Sequence, residues 1–162
     1  NALISRHLMR YSSDINLLHL RLESKVSLRI PKSKNTLKNE LTKLISQPRF
    51  AGLLKIALDI SDKDTLSPSE SSHIFSIVQE ALSNIVRHAQ AENAHIILAL
   101  NQQTSQLSII DDGIGFDLEN SKRGFGLQTV HDHTQLLGGK LSIDSRHNQG
   151  TTITIHFREK SQ

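Results

Sequence analysis

Gln79-Glu80-Ala81-Leu82-Ser83-Asn84-Ile85-Val86-Arg87-His88-Ala89 carries two patterns on one run of residues. Ile74, Ile77, Val78, Ala81, Leu82, Ile85 and Val86 recur at helical spacing and predict one apolar face. Glu80, Asn84 and His88 recur every fourth residue, with Arg87 beside them, as a polar stripe along the border of that face. Upstream, Ser67-Pro68-Ser69-Glu70 is a capping box with proline at the first helical position, so the helix is predicted over about 67–88. A carboxylate and a carboxamide one turn apart offer oxygens that suit Mg²⁺, a hard cation that keeps waters and bridges to phosphates. Taken alone, the stripe fits a solvated helix edge equally well.

Two strands are predicted after this helix, near 94–100 and 106–111, joined by a polar turn. Asp111-Asp112-Gly113-Ile114-Gly115-Phe116 follows directly. Its glycines let the backbone turn sharply and approach a ligand, and a carboxylate at a strand end can accept a hydrogen bond from an exocyclic amine. Gly124-Phe125-Gly126-Leu127 then opens a second helix over about 125–137, ended by Gly138-Gly139. Free N–H groups at such a helix start suit an anion, phosphate above all. Neither glycine motif has P-loop or dinucleotide-fold spacing. Leu141/Ile143 and Ile153/Ile155/Phe157 alternate with polar residues and predict two closing strands, the second preceded by Gly150-Thr151. Before the long helix, Leu37, Leu41, Leu44 and Ile45 mark a short helix over 37–46, and 54–60 reads as a first strand. Helix, strand pair, helix, strand pair predicts a two-layer α/β sandwich.

The first third of the chain differs in character. Ile4, Leu8, Tyr11, Ile15, Leu18 and Leu22 are spaced 4-3-4-3-4, the seam of helices packed side by side. It fits a second subunit or the face of its own domain. Residues 1–64 carry a balance of +6, against −3 for 65–162. A basic segment can meet an acidic partner, a membrane surface or nucleic acid, but few aromatics and no tryptophan argue against a base-stacking platform. Without cysteine there is no disulfide or thiolate zinc site, which fits a reducing cytoplasm. No apolar run approaches the ~20 residues of a membrane helix. Nine histidines invite a metal site, but His131 and His133 lie two apart on a predicted helix and point to different faces.

In their order, these motifs resemble sensor histidine kinases of the subgroup that includes nitrate and hexose-phosphate sensors and signals to LuxR-type response regulators. Residues 79–89 look like the N box, 111–116 the G1 box and 124–127 the G2 box. Leu136-Leu137-Gly138-Gly139 resembles the Leu-Gly-Gly that follows it, and Gly150-Thr151 matches the last glycine motif. The resemblance covers about 37–157 and implies a Bergerat-type ATP-binding fold using ATP and Mg²⁺. It implies that Asn84 coordinates Mg²⁺, with Glu80 as a catalytic group that orients water or polarises. Asp111 would accept the adenine amine, while Gly113 and Gly115 let the loop pass close to the base. Gly124 and Gly126 would hinge the lid and offer amides to the phosphates. Arg87, His88, Lys122, Phe125, Leu127 and Thr151 complete the expected nucleotide contacts.

The resemblance divides the chain into a remnant of the dimerising, phosphoacceptor region (1–31) and a catalytic ATP-binding domain (37–160). Ser5-Arg6-His7-Leu8-Met9-Arg10 and Leu20-Arg21 look like the first helix of the family's hairpin, and Leu28-Arg29-Ile30-Pro31 like the end of the second. Met9 and Arg10 then stand where the family has histidine and an acidic residue, and the hairpin looks shortened. His7 and His19 are the weak phosphoacceptor candidates, since neither is followed by a carboxylate. The reading is therefore the ATP-binding catalytic portion of a two-component histidine kinase. The alternative is a catalytically silent ATP-binding regulatory module, a pseudokinase. Expected partners are a response regulator and a second copy through the N-terminal helix, without direct nucleic-acid contact. The expected location is cytoplasmic, as part of a longer protein that is a candidate for anchoring in the inner membrane.

Overall fold

The computed structural model describes residues 36–61, 66–101, 104–117 and 125–158. The heptad seam, Met9, Arg10, His7 and His19 lie outside the described residues, as do Lys122 and Gly124. The described elements run α1 (Thr36–Ile45), α2 (Pro48–Ala51), β1 (Lys55–Ile60) and α3 (Pro68–Asn84), which continues into a π-helical turn, Ile85–Ala89. There follow β2 (Asn93–Ala99), β3 (Ser105–Asp111), α4 (Phe125–Leu136), β4 (Lys140–Ser145) and β5 (Thr151–Phe157). The predicted two-layer α/β sandwich is what forms, with boundaries within a residue or two of those read from periodicity. Two features escaped that reading: the four-residue helix α2 and the π turn that replaces the last turn of α3.

The sheet order is β1-β2-β3-β5-β4. The strands β2–β3 and β4–β5 are antiparallel hairpins, whereas β1 pairs with β2 in parallel, α3 forming the crossover between them. Register stacks the inward side chains in lateral rows. Leu58, Ile96, Ile109, Ile153 and Ile143 form one row, and Ile60, Leu98, Leu107, Ile155 and Leu141 the next. The third row, at the sheet end from which β3 exits, is Ile56, Ala94, Asp111, Thr151 and Ser145. Two apolar rows and one polar row therefore share the inner face.

Ile74, Ile77, Val78, Ala81 and Leu82 of α3 bury against this face. Leu37, Leu41 and Leu44 of α1 and Val130 of α4 close the same core. Each such aliphatic side chain contributes roughly 1.5–3 kcal/mol on burial, so packing rather than helical propensity sets the layer. The opposite face of the sheet is polar, with His95 Nε2 held 2.6 Å from Asp59 Oδ2.

The start of α3 is fastened twice. The capping box is present, Glu70 N–H donating to Ser67 Oγ at 3.1 Å and Ser67 N–H to Glu70 Oε2 at 2.7 Å. The same carboxylate receives the Arg158 guanidinium, Nε to Oε1 at 2.5 Å and Nη2 to Oε2 at 2.7 Å, just beyond β5. Nearly one turn on, His73 of α3 faces His133 of α4, Nδ1 to Nδ1 at 3.0 Å. Such a contact requires one nitrogen to carry the hydrogen and the other a lone pair.

The Arg158 hydrogen bond, followed by capping, holds the Glu70 carboxyl at about 2 against an ordinary value of 4.5. A folded-state value below the unfolded one gives stability that is complete above 4.5 and lost as pH falls towards 2. Glu70→Gln should therefore cost ~1–3 kcal/mol in urea unfolding at neutral pH, with the difference from wild type closing across that acid window. A difference independent of pH would contradict this account.

Candidate functional site

Asp111 is the last residue of β3, and its inward orientation places a carboxylate in the polar row. The residue is only 7% exposed. Its Oδ1 accepts the Gly113 N–H at 2.9 Å, and a second backbone hydrogen bond comes from Thr151. Burial pushes this carboxyl above its ordinary 3.8, the two backbone donors act against that shift, and the neighbouring Asp112 adds repulsion. A desolvated carboxylate of this kind gains from any further N–H donor brought to it.

Asp112, its twin in sequence, does something else. Its Oδ1 accepts the N–H groups of Glu92 and Asn93, both at 2.9 Å, and its Oδ2 accepts Asn93 Nδ2 at 2.6 Å. The Asn93 side chain is the main cause that holds its carboxyl below the ordinary range. Asp112 thus clasps the start of β2, on the exposed side, and only Asp111 faces the inner layer.

The loop after Asp111 is stitched to two other segments. Ile114 N–H donates to the Ala89 carbonyl at 2.7 Å, at the end of the π turn. Asn148 N–H donates to the Ile114 carbonyl at 2.6 Å, and Phe116 N–H to Ser145 Oγ at 2.9 Å, both in or beside the β4–β5 hairpin. The glycines answer to this stitching. A Cβ on Gly113 would lie 2.3 Å from the Ala89 carbonyl oxygen, and one on Gly115, at φ +57°, would lie 2.1 Å from that of Arg146. The sequence motif suggested close approach to a ligand; in the structure it is the protein's own backbone that excludes a side chain at both positions.

Glu80 and Asn84 lie one turn apart near the end of α3, both half-buried. Neither side chain hydrogen-bonds to another described residue. Polar side chains held at a layer boundary without partners among the described residues fit a polar ligand. Two uncommitted oxygens one turn apart match the donor set for Mg²⁺ completed by phosphates and water. Among the described residues, no cluster of three or more His, Asp or Glu side chains has metal-site geometry. Arg87 and His88 sit exposed on the π turn. Leu127 is half-buried in the first turn of α4, and Thr151 is buried beside Asp111. The backbone of Phe125 and Gly126 opens α4, as the motif predicted.

The structure therefore gathers Asp111, Gly113, Gly115 and Thr151 into one connected end of the sheet, joined through Ala89 to the end of the helix that carries Glu80 and Asn84. Sequence reading missed Ser145, Ala89 and Asn148. Ala89 ends the motif quoted above, but its contact with the loop, like that of Ser145 with Phe116 from 29 residues away, leaves no local signal. A depression of about 440 Å³ at the same end of the sheet is lined by Lys55, Ala57, Asn93, His95 and Ile110, and reaches Asp111 and Asp112.

A buried strand-end carboxylate, a glycine loop tied to a helix end and a second helix opening from glycines define a nucleotide-binding α/β sandwich. The chain belongs to the histidine kinase-, DNA gyrase B- and HSP90-like ATPase family, whose model matches residues 69–161. It is 34% identical over 120 residues to the sensor histidine kinase LiaS of Bacillus subtilis (strain 168), covering 74% of this chain and 33% of that protein. It is 31% identical over 105 residues to the nitrate/nitrite sensor protein NarX of Escherichia coli (strain K12), covering 63% of this chain and 17% of that one. The fold matches the histidine kinase domain of the Erythrobacter litoralis EL346 blue-light activated histidine kinase, with TM-score 0.63 and 19% identity over 77% of this chain and 60% of that one. The chain thus spans about a third or less of these two curated relatives. Among the described residues no helix is long and apolar enough to cross a membrane.

Gly113→Ala should force the loop off Ala89 and cost ~1–3 kcal/mol in chemical denaturation, with the β-sheet circular dichroism retained. Wild-type stability in this variant would mean that the loop is not held where the structure places it.

Proposed function

We propose that this chain is the ATP-binding catalytic portion of a two-component sensor histidine kinase, moving the γ-phosphate of ATP to a histidine for relay to a response regulator. The observation that carries the reading is the buried Asp111 carboxylate, anchored by Gly113 N–H and Thr151 and joined by the Ala89–Ile114 hydrogen bond to the helix bearing Glu80 and Asn84. The matching relatives named as sensor kinases favour this over a catalytically silent module.

Each residue of the motifs takes the role that the family resemblance implies. Asp111 accepts the adenine amine, with Thr151 beside it. The loop of Gly113 and Gly115 forms the wall over the base, extended by Leu127. Asn84 and Glu80 would hold Mg²⁺ through an amide oxygen and a carboxylate, and the cation would supply charge neutralisation at the phosphates. Arg87 and His88, exposed at the end of that helix, meet the outer phosphates. Gly124, Phe125 and Gly126, with Lys122 upstream, offer backbone N–H groups and positive charge at the start of α4.

In the transfer a histidine imidazole nitrogen forms the new P–N bond as the bond from the γ-phosphorus to the β–γ bridging oxygen breaks, and ADP leaves with the electron pair. Glu80 would polarise the attacking side. The acceptor belongs to the N-terminal segment or to another chain, with His7 and His19 as candidates here. A homodimer through the heptad seam, a LuxR-type regulator as recipient and a membrane-anchored whole protein are parts of the same proposal.

Asp111→Asn should weaken ADP binding about 10- to 100-fold in calorimetry while leaving circular dichroism unchanged, the scale of one hydrogen bond to a charged group. The physical reason is directional: the amide oxygen stays with Gly113 N–H, which turns the NH₂ towards the amine. Equal affinity would remove the site assignment. Wild-type affinity should also fall as pH drops through the raised Asp111 value, beginning above the ordinary 3.8, because only the ionised form is a full acceptor. Asn84→Ala should abolish the gain in affinity that Mg²⁺ confers, and a gain of wild-type size would count against its role. Incubation with ATP labelled at the γ-phosphate tests the transfer directly. Acid-labile, alkali-stable label on the chain, or on an added partner bearing the acceptor, supports it; no label on either contradicts it.

A further inference from the structure

We infer that Ser145 is a positioning residue of the nucleotide site, holding Asp111 and Thr151 in register with the loop over the base, and so contributes to adenine selectivity. This rests on the ATP reading above and deepens it.

Ser145 ends β4 and occupies the polar row, paired across the sheet with Thr151, which in turn pairs with Asp111. Its neighbours on the same face of β4, Leu141 and Ile143, belong to the apolar rows. A hydroxyl replaces the aliphatic pattern where the face turns polar. Ser145 is 8% exposed, and its Oγ makes three contacts. It accepts Phe116 N–H at 2.9 Å and lies 3.3 Å from the Gly150 carbonyl oxygen and 3.0 Å from Thr151 Oγ1.

One hydroxyl has one hydrogen and two lone pairs. Phe116 N–H takes one lone pair. The hydrogen goes either to the Gly150 carbonyl, in which case Thr151 donates to Ser145, or to Thr151 Oγ1, in which case the Thr151 hydrogen is free to turn towards a ligand. Ser145 therefore determines whether the hydroxyl beside Asp111 offers a donor or an acceptor. It also ties down Phe116, two residues before the segment that leads to the glycines at the start of α4. Without Ser145 Oγ, the Phe116 N–H loses its acceptor and the Thr151 hydroxyl its orienting partner. The Asp111 carboxylate would keep its Gly113 bond but face a loosened wall.

A residue that only supports the fold would, on removal, lower affinity for every nucleotide alike. A residue that positions the row that reads the base changes selectivity. The discriminating measurement is the ratio of ADP to inosine diphosphate affinity, because hypoxanthine presents a carbonyl where adenine presents the amine. Calorimetry on the full 162-residue chain and its Ser145→Ala, Ser145→Cys and Ser145→Thr variants reads this ratio, with thermal unfolding measured alongside.

Wild type should prefer ADP, and the ratio should narrow by about tenfold in Ser145→Ala and Ser145→Cys, the size of one oriented hydrogen bond, while Ser145→Thr keeps it. Hydrogen exchange on the wild-type chain adds an arm that no folding failure can remove: the Phe116 amide should be protected like that of Ile114, the other bonded amide of the loop. A wild-type ratio in both the alanine and cysteine variants, or rapid exchange at Phe116, overturns the role of Ser145 and leaves the ATP site standing. No ADP binding by wild type overturns the ATP reading itself.

Discussion

Asp111 has to serve two structures at once, and much of the site follows from that. Its backbone belongs to the sheet, paired with Ala94 on one side and Thr151 on the other. One residue later the chain leaves the sheet and must meet the end of the helix lying across it. The helix ends in the π turn at Ile85–Ala89, and the Ala89 carbonyl, one of those that any helix end leaves free, is taken by Ile114 N–H. Gly113 then has to be glycine, since a Cβ would collide with the same carbonyl. The β4–β5 hairpin supplies the remaining partners through Ser145 and Asn148.

Three carboxylates show how environment divides labour among chemically similar groups. Glu70 is saturated by an arginine and a helix start, which makes it an anchor and keeps it ionised far into acid. Asp112 is saturated by one strand start and fastens a loop at the surface. Asp111 is buried with backbone donors only and no cationic side chain among its causes of shift, so desolvation outweighs its hydrogen bonds. Of the three, it has the most to gain from an incoming donor, and it is the one we propose for the adenine amine.

The long helix separates stability from chemistry along its own length. Its 17 residues span about 25 Å. The first turns carry the capping box, the Arg158 pair and the His73–His133 contact, all protein to protein. The last turn carries Glu80 and Asn84, whose side chains have no partner among the described residues. A helix clamped at one end and buried along its apolar face can hold uncommitted polar groups at the other without losing its place. Substitutions near Glu70 are thus expected to act through stability and those near Asn84 through ligand affinity.

Short-range physics left most of its marks in the sequence, α2 and the π turn excepted. Apolar spacing marked the helices and strands, Ser67-Pro68-Ser69-Glu70 marked a helix start, and Gly138 marked a helix end. The motifs around Asn84, Asp111 and Gly124 pointed to the family to which the chain belongs. Only the tertiary structure decided that β1 joins the sheet in parallel at its edge, and that Asp111 rather than Asp112 turns inward. It alone showed that Gly113 and Gly115 make room for Ala89 and Arg146, and that Ser145 stands beside Thr151 and Phe116. Periodicity and capping depend on neighbours within about a turn, which any window of sequence contains. Register, facing and close approach depend on residues brought together from far along the chain, and the local pattern at either partner carries no record of the other.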